Sequence, residues 1–114
     1  MSESQLEIFE TTCGARFGYL EKLNVTNHVF EAGEYCLGIE IQMRDGTDQE
    51  SGALWLLFEN VTELRLGNLN GLMFFSIGIS DVSSWQRERT RFKVVESEHS
   101  AFSFYCYNFE FKVA

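Results

Sequence analysis

Apolar and polar residues alternate with a period of two along most of the chain from residue 36 onward, and this constrains the fold more than any other feature. In the segment 36–43 every second residue is Leu, Ile or Met, and the residues between are small or polar. Such alternation is typical of a strand with one buried and one solvated face. The Asp45-Gly46 pair favours a tight turn, so the apolar segment 54–58 is predicted to complete a hairpin with a long loop.

The segment 54–58, Leu-Trp-Leu-Leu-Phe, is apolar at both parities. It therefore fits either a central strand covered on both faces or a buried helical turn, and its shortness, Trp and Phe favour the strand. The chain continues as the alternating segment 61–66, and the Asn70-Gly71 pair then offers residues that accept positive φ. A second hairpin between 61–66 and 72–79 is predicted.

Two further strands are predicted at 90–95 and 101–113, and the polar segment 96–100 between them is expected to form a solvated hairpin loop. In the last segment the apolar residues change parity. Phe102, Phe104 and Cys106 share one parity, whereas Phe109, Phe111 and Val113 share the other. A bulge or bend near Tyr107-Asn108 would bring both sets into one core.

The predicted fold class is mainly β, an antiparallel sandwich or strongly curved sheet of about seven strands. The stretch Ser4-Gln5-Leu6-Glu7 is a capping-box pattern that allows one short N-terminal helix, and an α+β arrangement is the alternative. The chain has 114 residues, of which 45% are hydrophobic, and shows no linker or repeat. We therefore expect a single domain over residues 1–114.

No catalytic or metal-binding motif is present. The two histidines, His28 and His99, lie outside any nucleophile signature, and the three cysteines show no CxxC spacing. The acidic segment 45–50 lacks the ligand spacing of a calcium loop. We expect no enzyme activity, cofactor or metal. The chain also has no long apolar run and starts with acidic residues, so we expect no membrane contact and a cytoplasmic location.

The negative charge is concentrated in the first half of the chain. Residues 1–63 hold twelve acids and three bases, whereas residues 64–114 hold five acids and six bases, giving a net charge of −8. This disfavours nucleic-acid binding and favours a basic protein partner, although acidity that merely keeps the protein soluble is the alternative. The candidate partner-binding residues are Glu31, Glu34, Glu40, Asp45, Asp48, Glu50, Tyr105 and Tyr107.

A stripe of bases lies in the second half of the chain. In a strand, Arg87, Arg89, Arg91 and Lys93 would project from one face. The three arginines are candidate anion-binding residues, because guanidinium groups make bidentate contacts with anions. They suggest a small-ligand or anion-binding module with an aromatic-lined pocket between sheets. The alternative is an exposed edge strand whose charges prevent aggregation, and a homo-oligomer built on a strand edge is a third hypothesis.

Three segments carry a resemblance to known proteins: LWLLFENVTELRL at 54–66, IGISD at 77–81 and FSFYC at 102–106. They resemble segments of small bacterial immunity proteins of polymorphic toxin systems and of uncharacterised bacterial β-rich domains. The resemblance implies a cytosolic β-rich protein that binds and blocks a cognate toxin, with no cofactor and no reaction of its own. The leading hypothesis is thus a non-enzymatic protein-binding domain, such as a toxin-neutralising immunity protein.

Overall fold

The structure, a computed structural model, describes residues 5–12, 17–29, 35–46, 52–69, 75–85 and 90–113. Within these ranges the chain is mainly β, with seven antiparallel strands in one open sheet and one short helix, as the sequence predicts. A single 3₁₀ turn, Ser83–Trp85, follows the fourth strand. The elements are α1 (Gln5–Thr12), β1 (Tyr19–Val29), β2 (Tyr35–Arg44), β3 (Ala53–Leu66), β4 (Ile77–Asp81), β5 (Phe92–Glu96), β6 (Phe102–Cys106) and β7 (Asn108–Val113).

The long strand β3 joins two halves of the sheet. The strand order is β1-β2-β3-β6-β5-β4, and β7 also pairs with β3. Residues 54–59 of β3 pair with β7, and most of the β2 partners lie in the same part of β3. Residues 62–66 pair with β6. We call β1, β2, β7 and residues 53–59 of β3 the first half-sheet, and β4, β5, β6 and residues 62–66 of β3 the second half-sheet.

The chain bends at the junction of the half-sheets in two places, within β3 and between β6 and β7. In β3, Asn60 and Glu63 have positive φ angles of 55° and 54°, and the pairing register shifts at both places. On the neighbouring path, Tyr107 interrupts β6 and β7, and its N–H donates to the carbonyl of Glu59 at 3.1 Å. The predicted bend near Tyr107-Asn108 is confirmed: Phe104 and Phe109 are both buried despite their opposite parities.

Aromatic side chains from the two half-sheets meet in one core. The ring centroids of Phe58 and Phe104 are 5.0 Å apart in an edge-to-face arrangement, and those of Phe92 and Phe109 are also 5.0 Å apart. Helix α1 adds Phe9, which lies edge-on to Phe109 at 6.1 Å. The inward face of each half-sheet is therefore covered by the other half-sheet and by α1, which leaves the opposite faces as outer surfaces.

Two of the three predicted hairpins are confirmed and one is wrong. The antiparallel pairs β2–β3 and β5–β6 form as expected. The hairpin predicted between 61–66 and 72–79 is wrong for the residues that the structure describes: residues 62–66 pair with β6, and β4 pairs with β5. Residues 70–74 lie outside the described part. A turn signal is local, and it does not decide which distant strands pair with each other.

Candidate partner-binding surfaces

The structure describes only some of the predicted partner-binding acids. Glu31, Glu34, Asp48 and Glu50 lie outside the described residues, so they stay predictions. Asp45 is half-buried just after β2, and its N–H donates to the carbonyl of Gly52 at 3.0 Å across the mouth of the hairpin loop.

Glu40 lies on the outer face of the first half-sheet, because its neighbours Ile39 and Ile41 are fully buried on the inner face. One of its carboxylate oxygens is 3.6 Å from the Lys22 ammonium, and the Asn24 amide donates to the same oxygen at 3.5 Å. Its charge is therefore partly balanced within the chain. A basic partner would compete with Lys22 for this carboxylate.

Two rows of side chains cross this outer face from β1 to β7. The register pairs Leu57 with Glu40 on one side and Glu110 on the other, and it pairs Trp55 with Gln42 and Lys112 in the next row. We call this surface the tryptophan face. It consists of Lys22, Asn24, Glu40, Gln42, Trp55, Leu57, Glu110 and Lys112.

The centre of the tryptophan face is apolar and its margin is charged. Trp55 and Leu57 lie on a central strand, yet their side chains are only half-buried. The ammonium of Lys112 lies 5.5 Å from the centroid of a Trp55 ring. Lys22, Glu110 and Lys112 at the margin are exposed. An aromatic centre within a polar rim is the arrangement found in protein–protein interfaces, where Trp often supplies much of the binding energy.

Sequence reasoning did not single out Trp55 as a functional residue. Residues 54–58 are apolar on both sides of the predicted strand. This pattern marked Trp55 as apolar, but it predicted a strand covered on both faces and therefore a buried Trp55. In the structure Leu56 and Phe58 are buried, whereas Trp55 and Leu57 keep partial exposure. The strand prediction is confirmed, but none of the described helices and strands packs over the outer side of this part of β3.

The predicted tyrosines and Arg91 come together at one end of the second half-sheet. Tyr105 is half-buried on its outer face, and Tyr107 is 46% exposed at the bend. The N–H of Arg91 donates to the carbonyl of Cys106 at 3.0 Å, which places Arg91 beside the end of β6. These residues are separated from Glu40 by β3, so the acids and tyrosines that the structure describes lie on different half-sheets.

Arg91 and Lys93 are the members of the predicted base stripe that the structure describes. Strand β5 begins only at Phe92, Arg91 precedes it, and Arg87 and Arg89 lie outside the described residues. The edge-strand alternative is wrong for β5, because β5 pairs with β4 on one side and β6 on the other. Its burial pattern alternates as in a strand with one face in the core.

A shallow concavity of about 430 Å³ lies against the second half-sheet. Its cations are Arg65 from β3 and Lys93 from β5, and the ammonium of Lys93 lies 5.7 Å from the centroid of the Tyr105 ring. We call it the basic concavity. It differs from the predicted aromatic-lined pocket, since Phe102 is the one aromatic residue among the described residues of its wall. The lining residues are Arg65, Leu66, Gly67, Lys93, Val95, Glu96, Ser100, Phe102 and Ser103.

Glu96, also in that wall, is 1% exposed, so the expectation that it lies in a solvated loop is wrong. One carboxylate oxygen accepts the N–H groups of Ser76 at 2.8 Å and Glu98 at 3.0 Å. The other accepts those of His99 at 2.7 Å and Ala101 at 3.3 Å. Burial by itself would raise the pKa of Glu96, but these four donors outweigh it and hold the pKa below its ordinary value. The carboxylate is therefore a structural anchor for the β5–β6 turn.

The described residues offer no metal site, and one of their two thiols is buried and unreactive. They contain no group of three or more His, Cys, Asp or Glu side chains placed to hold a metal ion. Burial raises the pKa of the Cys106 thiol to about 12, which keeps it protonated and unreactive at neutral pH. No helix in the described part of the chain has the length and apolar character needed to cross a membrane.

Comparison with known proteins gives one clear relationship. No curated protein and no solved structure matches the chain. The family model described as "Immunity protein PIM8" matches residues 2–112, which is nearly the whole chain and includes every described helix and strand except the last residue of β7. On this match the chain belongs to the PIM8 family of immunity proteins.

Proposed function

We propose that this protein binds a cognate protein toxin in the cytoplasm and neutralises it by occupying a surface that the toxin needs, without catalysing a reaction. The observation that carries this proposal is the immunity-family match over residues 2–112. The resemblance found in the sequence implies the same role. The predicted preference for a basic toxin still rests on the acidic first half of the chain and remains part of the proposal.

The tryptophan face is the surface we propose for the toxin. Trp55 can bury a large ring against the partner, and Leu57 extends the apolar centre. Glu40 and Glu110 at the margin offer carboxylates to a basic partner. Asp45, Tyr105 and Tyr107 stay candidate contacts, and a toxin that reached them would extend beyond this face.

The toxin encoded beside this gene supplies the direct test. Co-expression of its toxic domain with the wild-type chain should restore growth, and the two purified proteins should form a stable complex. If the chain neither binds nor neutralises that domain, the proposal is wrong.

The Trp55→Ala variant tests the surface. Truncation of a central interface Trp typically costs about 2 kcal/mol or more, so we expect affinity for the toxin to fall by roughly thirtyfold. Ile8→Ala is the control, because Ile8 is 40% exposed on α1, outside the tryptophan face. Thermal melts of both variants separate lost binding from lost folding. Equal affinity of W55A and wild type would exclude the tryptophan face while leaving neutralisation intact.

A further inference from the structure

Two cations of the basic concavity have no carboxylate partner among the described residues. Neither Arg65 nor Lys93 forms an ion pair within the described part of the chain, whereas Lys22 and Arg44 on the first half-sheet pair with Glu40 and Glu21. Arg65 is exposed, and Lys93 is half-buried against the Tyr105 ring. In a protein of net charge −8, these two bases give the outer face of the second half-sheet a local positive charge.

The outer face around these cations carries no acid in the two rows that contain them. The register places Ser80, Lys93, Tyr105 and Thr62 in one row, and Gly78, Val95, Ser103 and Arg65 in the next. Glu96 is the one carboxylate among the described residues of the concavity wall, and it already accepts hydrogen bonds from four backbone N–H groups. Glu96 therefore competes little for Arg65 or Lys93.

The spacing of the two cations favours two carboxylates over one small anion. Strand β6 lies between Arg65 on β3 and Lys93 on β5, and the two residues belong to adjacent rows. With roughly 4.8 Å between strands and roughly 6.6 Å between rows, their Cα atoms are about 12 Å apart. A single phosphate would require both side chains to converge, whereas acidic residues along an extended segment can meet each base separately.

We propose that the basic concavity binds an acidic segment of the toxin, with Arg65 and Lys93 each contacting one carboxylate. Ser100 and Ser103 supply hydroxyl groups to the same segment, and the open shape admits an extended chain. This inference rests on the proposed function. The acidic residues of the first half-sheet would contact a basic part of the toxin, and the basic concavity would contact an acidic part. The toxin would then be recognised by its charge pattern and not only by its net charge.

A peptide probe tests the charge preference without the toxin. Capped hexaglutamate is titrated into the labelled protein and followed by amide chemical shifts, with capped hexaglutamine as the uncharged match. We expect shifts at Arg65, Lys93 and Ser103 that diminish with salt, disappear in R65Q/K93Q and persist in the charge-preserving R65K/K93R. No shift at these residues, equal shifts with hexaglutamine, or equal binding of inorganic phosphate would overturn the proposal.

The toxin complex separates this inference from the proposed function. R65Q/K93Q should weaken toxin affinity by about tenfold or more, and R65K/K93R should stay close to wild type. Melting temperatures of both variants verify folding. If R65Q/K93Q binds the toxin as wild type does while W55A does not, the inference is wrong and the proposed function stands. If the wild-type chain fails to bind the toxin, the proposed function is wrong, and the peptide titration still decides the charge preference.

Discussion

Replacement of Glu96 by Gln should destabilise the protein strongly, although it removes only one charge. The carboxylate is 1% exposed and accepts four backbone N–H groups, two at each oxygen. A Gln side chain keeps one acceptor oxygen and turns an NH₂ group toward the other two donors. Two of the four N–H groups then lose their acceptor, whichever way the amide is oriented.

The magnitude follows from those two lost bonds. A hydrogen bond to a charged group contributes about 1.5 kcal/mol or more, so E96Q should lower the free energy of unfolding by about 3 kcal/mol. An unfolding entropy of about 2.1 cal/mol/K per residue over 114 residues converts this to a fall in melting temperature of roughly 12 °C. Such a loss is a large fraction of the 5 to 15 kcal/mol typical of a domain.

Glu98→Gln is the matched control. Glu98 is two residues away and exposed, and its backbone N–H still donates to Glu96 when its own carboxylate is removed. Urea and thermal unfolding of the wild type, E96Q and E98Q measure the difference. If E96Q unfolds within about 1 kcal/mol of E98Q, the carboxylate does not anchor the turn and the reasoning fails.

Four further predictions concern the pKa of Glu96, the two described cysteines, the aromatic core and the bend in β3. The folded-state pKa of Glu96 lies below its unfolded value of 4.5. The stabilisation of the fold by this carboxylate should therefore be complete above pH 4.5 and be lost as the pH falls through the folded-state pKa. Urea titrations at several pH values should show this loss in the wild type and not in E96Q. Alkylation of the folded protein near neutral pH should modify half-buried Cys36 before Cys106, whose pKa is about 12, and mass spectrometry of the peptides checks the order. Phe58→Ala should cost about 3 to 5 kcal/mol of unfolding free energy, because Phe58 is fully buried against Phe104, whereas Val113→Ala at an exposed site should cost far less. Asn60→Val should cost about 1 to 3 kcal/mol and Asn60→Gly much less, because the φ of 55° is strained for a β-branched side chain, and equal melting temperatures would contradict a fixed bend there.

Local patterns predicted most of the strands and one long-range feature of the fold. Alternation identified β2, β5 and β6, and the parity change between Phe104 and Phe109 predicted the bend at Tyr107. That prediction succeeded because side-chain direction alternates strictly in a strand, so a change of parity within one apolar segment requires a break.

Features that depend on distant partners could not be predicted in the same way. The Asn70-Gly71 turn signal predicted that β4 pairs with the end of β3, but β4 pairs with β5. This pairing depends on contacts between distant segments. The sequence placed Glu96 in a solvated loop. Local patterns could not reveal its burial, because one of its N–H donors is Ser76, twenty positions away in sequence. The basic concavity likewise joins Arg65 and Lys93 from separate segments, which only the strand order brings together.

The two proposed surfaces lie on different half-sheets, which β3 connects. Trp55 and Arg65 are ten residues apart on β3, a path of at most roughly 33 Å along an extended strand, and the bends at Asn60 and Glu63 shorten it. A standard interface buries about 800 Å² on each partner, which corresponds to a patch about 30 Å across. Both surfaces are outer faces of half-sheets that pack with their inner faces together, so a toxin that contacts both must extend around the bend of β3. The two sites are too far apart to share contacts, so in that case the free-energy losses of W55A and R65Q/K93Q should add in the combined variant. A combined loss equal to that of W55A alone would restrict the toxin to the tryptophan face.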